Sequence, residues 1–215
     1  MPLSVPPDIN PGIRDVEMAY DKNRLSYKIA IAAIIAALYA VLVWFLPFIS
    51  FFIWQVRIAD SLIPQALIFG MPAAIGLALG CFAGNLVGGL GIIDYFGGAL
   101  TNFLAAIIGY YLEKRNTNTG LKRILITQLI ITVQTLINVF IVGTYLSFIF
   151  SMPLELSWLG ILIGSLISLN LVGFLIYEAL RKTNLFTLET KSASLDSALQ
   201  YIKRQFASKI IKIKS

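Results

Sequence analysis

The sequence contains no histidine and only one cysteine, Cys81. The first absence removes the commonest neutral-pH general base and metal ligand, and the second leaves neither a Cys/His zinc site nor an internal disulfide available. Charge is also scarce: 13% of the 215 residues are charged, against 58% that are apolar. A soluble domain is usually about 25% charged, so this chain has too little charge to close a wetted surface. A Gly-x-x-x-x-Gly-Lys-[Ser/Thr] phosphate loop is missing, which excludes nucleotide hydrolysis by that route. No run of charges crosses the inner half of the apolar segments and no pair of inverted halves is evident, which speaks against an ion-coupled carrier. The chain does not read as an enzyme, and no cofactor is expected in it.

What is present is hydrocarbon in long runs. A membrane helix needs roughly 20 mostly apolar residues, and the runs predict an all-α polytopic membrane protein with six transmembrane helices near 27–46, 53–70, 72–90, 95–113, 123–150 and 157–180. Pro47, Gly70-Met71-Pro72, Gly88-Gly89-Leu90-Gly91 and Met152-Pro153 punctuate the breaks. Residues 1–26 form a proline-bearing, charged leader, 27–182 the six-helix membrane domain, and 183–215 a tail. The leader lacks the early apolar core and small-residue cleavage site of a secretory signal.

Orientation follows from the basic residues. Arg14, Lys22, Arg24 and Lys28 precede the first span, Lys114, Arg115, Lys122 and Arg123 fill the one strongly polar loop, and eight more follow the sixth. Only Arg57 is left over. With six spans the other sixteen of the seventeen lie on one side, which by the positive-inside rule places both termini in the cytoplasm (N-in/C-in) of a multi-pass cell-membrane protein. Topology accounts for the net charge of +6 without nucleic acid. In the tail, Leu195, Leu199, Ile202, Phe206, Ile210 and Ile213 recur at helical spacing with Lys203, Arg204, Lys209 and Lys212 between them, a basic amphipathic helix suited to anionic membrane lipid or a partner subunit.

Charged and amide residues within the apolar segments are costly and mark candidate site positions. Arg57 and Asp60, three residues apart near the outer end of the second span, can neutralise each other and face a pocket or the interface. Asp94 and Glu155 add two more outward carboxylates, which suit a ligand rich in hydrogen-bond donors or a cationic one. Asn85, Asn102, Gln134, Asn138 and Asn170 need partners in hydrocarbon, from a ligand or from neighbouring helices. Thr127, Gln134, Asn138 and Tyr145 share one stripe that must face protein or a cavity. Trp54, Tyr95, Tyr145 and Trp158 gather toward the outer end, as pocket walls for a flat molecule or as an interfacial belt. Gly76, Gly80, Gly84 and Gly88, and Gly160, Gly164 and Ser168, are ridges for close helix packing. Ala32, Ala36 and Ala40, with Ala33 and Ala37 beside them, form a small-residue face on the first helix that suits its own bundle or a separate membrane subunit. Cys81 reads as a buried filler.

Three runs then carry a resemblance: Gln55-Val-Arg57-Ile-Ala-Asp60-Ser-Leu-Ile-Pro64, Ala73-Ala-Ile-Gly76-Leu-Ala-Leu-Gly80-Cys81-Phe-Ala-Gly-Asn85-Leu, and Gly91-Ile-Ile-Asp94-Tyr-Phe-Gly97-Gly-Ala-Leu-Thr101-Asn-Phe-Leu-Ala105-Ala. Over residues 55–112 the chain resembles the QueT family, substrate-binding S components of energy-coupling factor (ECF) transporters. The resemblance implies an S-component-like bundle that binds a 7-deazaguanine queuosine precursor from outside. It also implies a transmembrane T subunit docked on the alanine face of the first helix, and two cytoplasmic ATPases that hydrolyse the ATP. On that reading Glu155 or Asp94 meets the ligand's N–H groups, with Asn85, Asn102 and Asn138 as amide partners and Arg57 and Asp60 touching ligand or locking the second helix. An S component for another vitamin or cofactor precursor, or a non-transporting membrane assembly protein, are the alternative readings.

Overall fold

The computed structural model describes residues 11–46 and 56–183, with the backbone alone described for 11–24. The described residues form six helices: α1 (Pro11–Phe45), α2 (Ile58–Phe69), α3 (Met71–Gly88), α4 (Ile92–Lys114), α5 (Gly120–Ile149) and α6 (Leu154–Arg181). Five of them, α1 from Leu25 onward and α3 to α6, are long and apolar enough to cross a membrane. Residues 11–26 of the leader continue into α1 as one helix. Residues 1–10 and 184–215 lie outside the described residues, and the amphipathic tail with them.

The second predicted span is the element that departs most from a regular membrane helix. α2 opens as a 3-10 helix over Ile58–Gln65 and closes with a single α-turn, Ala66–Phe69. Pro64 inside it supplies no backbone N–H, which disfavours a continuous α ladder. The helix contacts α1, α3, α4, α5 and α6. Nine of its residues are buried, from Ala59 to Ile68. It is a short plug packed against all five longer helices. Gly70 (φ +62°, ψ −139°) turns the chain directly into α3, whose second residue, Pro72, suits a first helical turn.

Around this plug the long helices pack in chain order, α3 against α1 and α4, and α5 against α4 and α6. The α1–α3 seam is formed by small residues. A methyl group added at Gly76 would come within 2.5 Å of the Ala32 carbonyl oxygen, and one at Gly80 within 2.6 Å of that of Ala36. The glycine ridge lets the two backbones touch, as expected of small residues in membrane bundles. The Ala32/Ala36/Ala40 stripe is therefore turned toward its own bundle, with Ala40 buried and Ala32 and Ala36 half-buried. Ala33 and Ala37, like Ala30 before them, are exposed on α1.

The distribution of polarity is that of a protein in lipid. Ile34, Leu38, Leu79, Leu100, Leu129, Phe140, Leu159 and Leu171 are exposed, while Asp60, Gln65, Asn85, Asp94, Thr101, Asn102, Gln134 and Asn138 are buried. α6 contains a π-helical segment, Leu166–Gly173, midway along its length. The wider turn releases backbone carbonyls, and side chains take them up: Gln128 donates to the Asn170 carbonyl (3.2 Å) and Gln65 to that of Gly173 (3.0 Å). Asn170 itself donates to Thr132 (2.9 Å) and accepts from Thr135 (2.6 Å).

The far end of the same helices is closed by a polar clasp. Arg123 of α5 meets Glu178 of α6 through two hydrogen bonds of 2.8 and 2.9 Å. Beside it Glu113 of α4 accepts from Thr127 (3.0 Å) and Tyr177 (3.0 Å). This clasp joins three helices at the end where the basic loop between α4 and α5 lies.

Candidate functional site

A small cleft lies between α2, α4, α5 and α6, lined by Arg57, Asp60, Gly98, Asn102, Asn138, Val142, Ile161 and Ser165. Four of the seven predicted binding residues, Arg57, Asp60, Asn102 and Asn138, thus meet in one place. Their positions follow from the fold. Arg57 sits in extended conformation at the start of α2, and Asp60 lies in its first turn. Asn102 and Asn138 are each buried where α4 and α5 face the plug.

Asp60 is held on both oxygens. Tyr39 of α1 donates to Oδ1 (2.5 Å), and Asn138 donates to Oδ2 (3.2 Å) while also reaching Ser165 of α6 (3.4 Å). A single carboxylate thereby links α1, α2, α5 and α6. Arg57 Nη1 lies 3.8 Å from Cys81 Sγ on α3. Arg57 and Asp60 are buried at 5% and 7% exposure, away from a wetted interface.

Asp94, Gly98 and Asn102 recur every four residues on α4 and share its buried face. Eight residues of helix separate the first from the last, a rise of about 12 Å. Tyr145 donates to Asp94 Oδ1 (3.0 Å), and Asn85 donates to the Asp94 backbone carbonyl (2.9 Å). Asp94 Oδ2, Asn85 Oδ1 and Asn102 Nδ2 are buried and have no hydrogen-bond partner among the described residues. Buried polar atoms of this kind are rare in folded proteins and call for a partner. Gly98 stands between the two groups: a methyl there would lie 2.7 Å from Asn85 Nδ2, 3.1 Å from Cys81 Sγ and 3.5 Å from the Tyr145 hydroxyl. The buried face of α4 therefore presents an acceptor on Asp94 and a donor on Asn102, with the Asn85 oxygen of α3 as a second acceptor and Gly98 closely packed between them.

Glu155 stands apart. It is exposed in the first turn of α6 and does not line the cleft. Two of the five amides act as helix contacts: Gln134 donates to the Ala105 carbonyl (3.1 Å) beside Gly109, and Asn170 holds the π segment. The aromatic residues divide similarly. Tyr145 reaches Asp94, whereas Tyr95 packs on Phe82 and Trp158 on Phe140, and Trp54 lies outside the described residues. Tyr39 and Ser165 are the site residues that the sequence did not single out. Tyr39 falls in an apolar run, and its only signal is the inward spacing it shares with Ile35 and Val43, both buried.

A bundle of apolar-surfaced helices around buried amides and carboxylates defines a membrane protein with a polar site in its interior. The family model for the QueT transporter matches residues 29–182, and the chain belongs to the QueT transporter family. The match spans the described helices from within α1 to the end of α6. No curated protein and no solved structure matches the chain.

Proposed function

We propose that this chain is the substrate-binding S component of an ECF-type, ATP-driven uptake transporter, and that its cargo is a 7-deazaguanine precursor of queuosine or archaeosine. The observation that carries the reading is the α3–α4 seam, where Asp94 Oδ2, Asn85 Oδ1 and Asn102 Nδ2 lie buried without partners among the described residues in a transporter-family chain. Asn102 offers an N–H to a ring carbonyl, and the Asp94 and Asn85 oxygens accept N–H groups. A flat nitrogen heterocycle carries both kinds of group at its edges. Asp60, already bonded to Tyr39 and Asn138, shapes the cleft wall and leaves ligand recognition to α4.

The chain has no phosphate-binding loop, so the energy comes from partners: a transmembrane T subunit and two cytoplasmic ATPases. The exposed Ala33/Ala37 ridge of α1 is the surface for T-subunit docking, since Ala32 and Ala36 are engaged with α3. Small side chains allow a foreign helix to approach closely in lipid. Both termini lie in the cytoplasm on the basic-residue count.

Mass spectrometry of the small molecule released from the purified protein tests the substrate. Recovery of a 7-deazaguanine supports the assignment, and recovery of another vitamin or cofactor precursor replaces the substrate while leaving the subunit role. Co-purification with a T subunit and ATPases tests that role.

A further inference from the structure

Charge at the clasp end of the bundle is segregated by sign. Among the described residues the exposed charged side chains at that end are Lys28, Lys114, Arg115, Lys122 and Lys182, all basic, and the one exposed acid, Glu155, opens α6 at the opposite end. The acids beside them are drawn into the protein. Glu178 answers Arg123, and Glu113 accepts from Thr127 (3.0 Å), Tyr177 (3.0 Å) and Asn116 (3.3 Å). Asn116 also reaches Thr127 (3.4 Å) and accepts from Asn118 (3.1 Å), so the loop between α4 and α5 is fastened to both helices. Lys114 lies one turn beyond the exposed Tyr111 on α4, and Lys122 stands between the exposed Leu121 and Leu125 on α5. The positive-inside rule needs only that basic residues lie on this side. It does not require that the neighbouring acids be withdrawn, or that the cations border an apolar face.

We infer that the α4–α5 hairpin is a binding site for an anionic phospholipid, with the headgroup phosphate against Lys114, Arg115 and Lys122 and the acyl chains along Tyr111, Leu121 and Leu125. A soluble anion would meet the cations and leave the apolar surface beneath them uncovered, whereas a lipid satisfies both at once. Lysine and arginine lay their hydrocarbon stems along apolar surface while the charged heads reach outward, and the guanidinium fork of Arg115 matches a phosphate. Lys28 and Lys182 carry the same sign around the rim, so the field favours a net negative headgroup over a zwitterionic one. The site lies at the far end of α5 from Asn138, and it stands or falls apart from the identity of the cargo.

The test is native mass spectrometry of the full-length protein released from micelles that hold phosphatidylglycerol and phosphatidylcholine of matched acyl chains in equal amounts. The phosphatidylglycerol adduct should exceed the phosphatidylcholine adduct by about tenfold or more. The triple variant Lys114→Gln/Arg115→Gln/Lys122→Gln should bring that ratio to within about threefold of unity. A tail variant, Lys203→Gln/Arg204→Gln/Lys209→Gln/Lys212→Gln, should keep the wild-type ratio although it removes more charge. Equal retention of the two lipids by the wild-type protein overturns the inference, and so does a preference that survives the triple variant. A ratio that falls as far in the tail variant as in the hairpin variant reports net charge rather than a site, and overturns it as well. Displacement of phosphatidylglycerol by an equal concentration of sn-glycerol 1-phosphate makes this a soluble-phosphate site and overturns the lipid assignment. Where the triple variant does not fold, Arg115→Gln and Lys122→Gln singly should each lower the ratio by about threefold, and an unchanged ratio in both counts against the site.

Discussion

The hydroxyl of Tyr39 on α1 donates to Asp60 Oδ1 on α2 at 2.5 Å, both groups buried, so the first helix is fastened to the wall of the cleft by one hydrogen bond. Tyr39→Phe removes the donor and leaves a carboxylate oxygen short of a partner in a low-dielectric site. It should destabilise the protein by about 1–3 kcal/mol. The check is the thermal unfolding midpoint in detergent, which falls for Tyr39→Phe and recovers in part in the double variant Tyr39→Phe/Asp60→Asn.

The α1–α3 seam has no room to spare. Gly80→Ala sets a methyl against the Ala36 carbonyl and the Tyr39 side chain, and neither backbone can give way without parting the helices. A loss of about 1–3 kcal/mol is expected for overpacking of this kind. Ala37→Leu, on the exposed side of α1, should leave the unfolding midpoint unchanged and serves as the control.

Asn102 carries a buried donor with no partner among the described residues, an arrangement that costs stability. Asn102→Leu should leave stability equal or raise it by about 1 kcal/mol. The same substitution should weaken binding of a 7-deazaguanine by about tenfold. Calorimetry alongside thermal unfolding separates the two effects. Loss of stability with unchanged affinity would make Asn102 a structural residue.

The Arg123–Glu178 clasp is only partly buried, with side-chain exposures of 9% and 17%, so its bidentate geometry rather than deep burial sets its strength. Glu178→Gln should cost about 1–2 kcal/mol of stability. Substrate affinity should hold, because the clasp lies at the opposite end of α5 and α6 from Asn138 and Ser165. A double-mutant cycle with Arg123→Met measures the coupling.

Transport should fail before binding does when the outer ridge of α1 is filled. Ala37→Trp projects a large ring from the exposed face, where the T subunit is proposed to dock. Uptake in cells should drop by about tenfold or more with ligand affinity unchanged. Normal uptake would move the docking surface to another helix.

The long helices were legible because length and hydropathy alone specify them, and five reappear near their predicted limits. The plug was not, since its residues are buried on several sides and lack the one-faced period of a lipid-facing span. Polar residues inside apolar runs found Arg57, Asp60, Asn102 and Asn138, yet the same rule could not tell a cleft amide from Gln134 or Asn170, which differ only in which helix faces them. Glu155 was grouped with Asp94 by loop position, whereas Asp94 is buried in the first turn of α4 and Glu155 is exposed in the first turn of α6. The alanine face was recognised as a packing surface, but its inward half is fixed by the glycine ridge of α3, a pairing visible only once the two helices are side by side.

The π segment of α6 bears on how relatives of this chain should vary in length. A π turn holds one residue more than an α-turn needs, and here the surplus sits between Ser165 at the cleft and Tyr177 at the clasp. A relative with one residue fewer between Leu166 and Gly173 would keep both ends of the helix on their present faces. Sequences of this family aligned across α6 should tolerate a single-residue gap there, and a gap anywhere else in the helix would turn one of the two sites away from its partners.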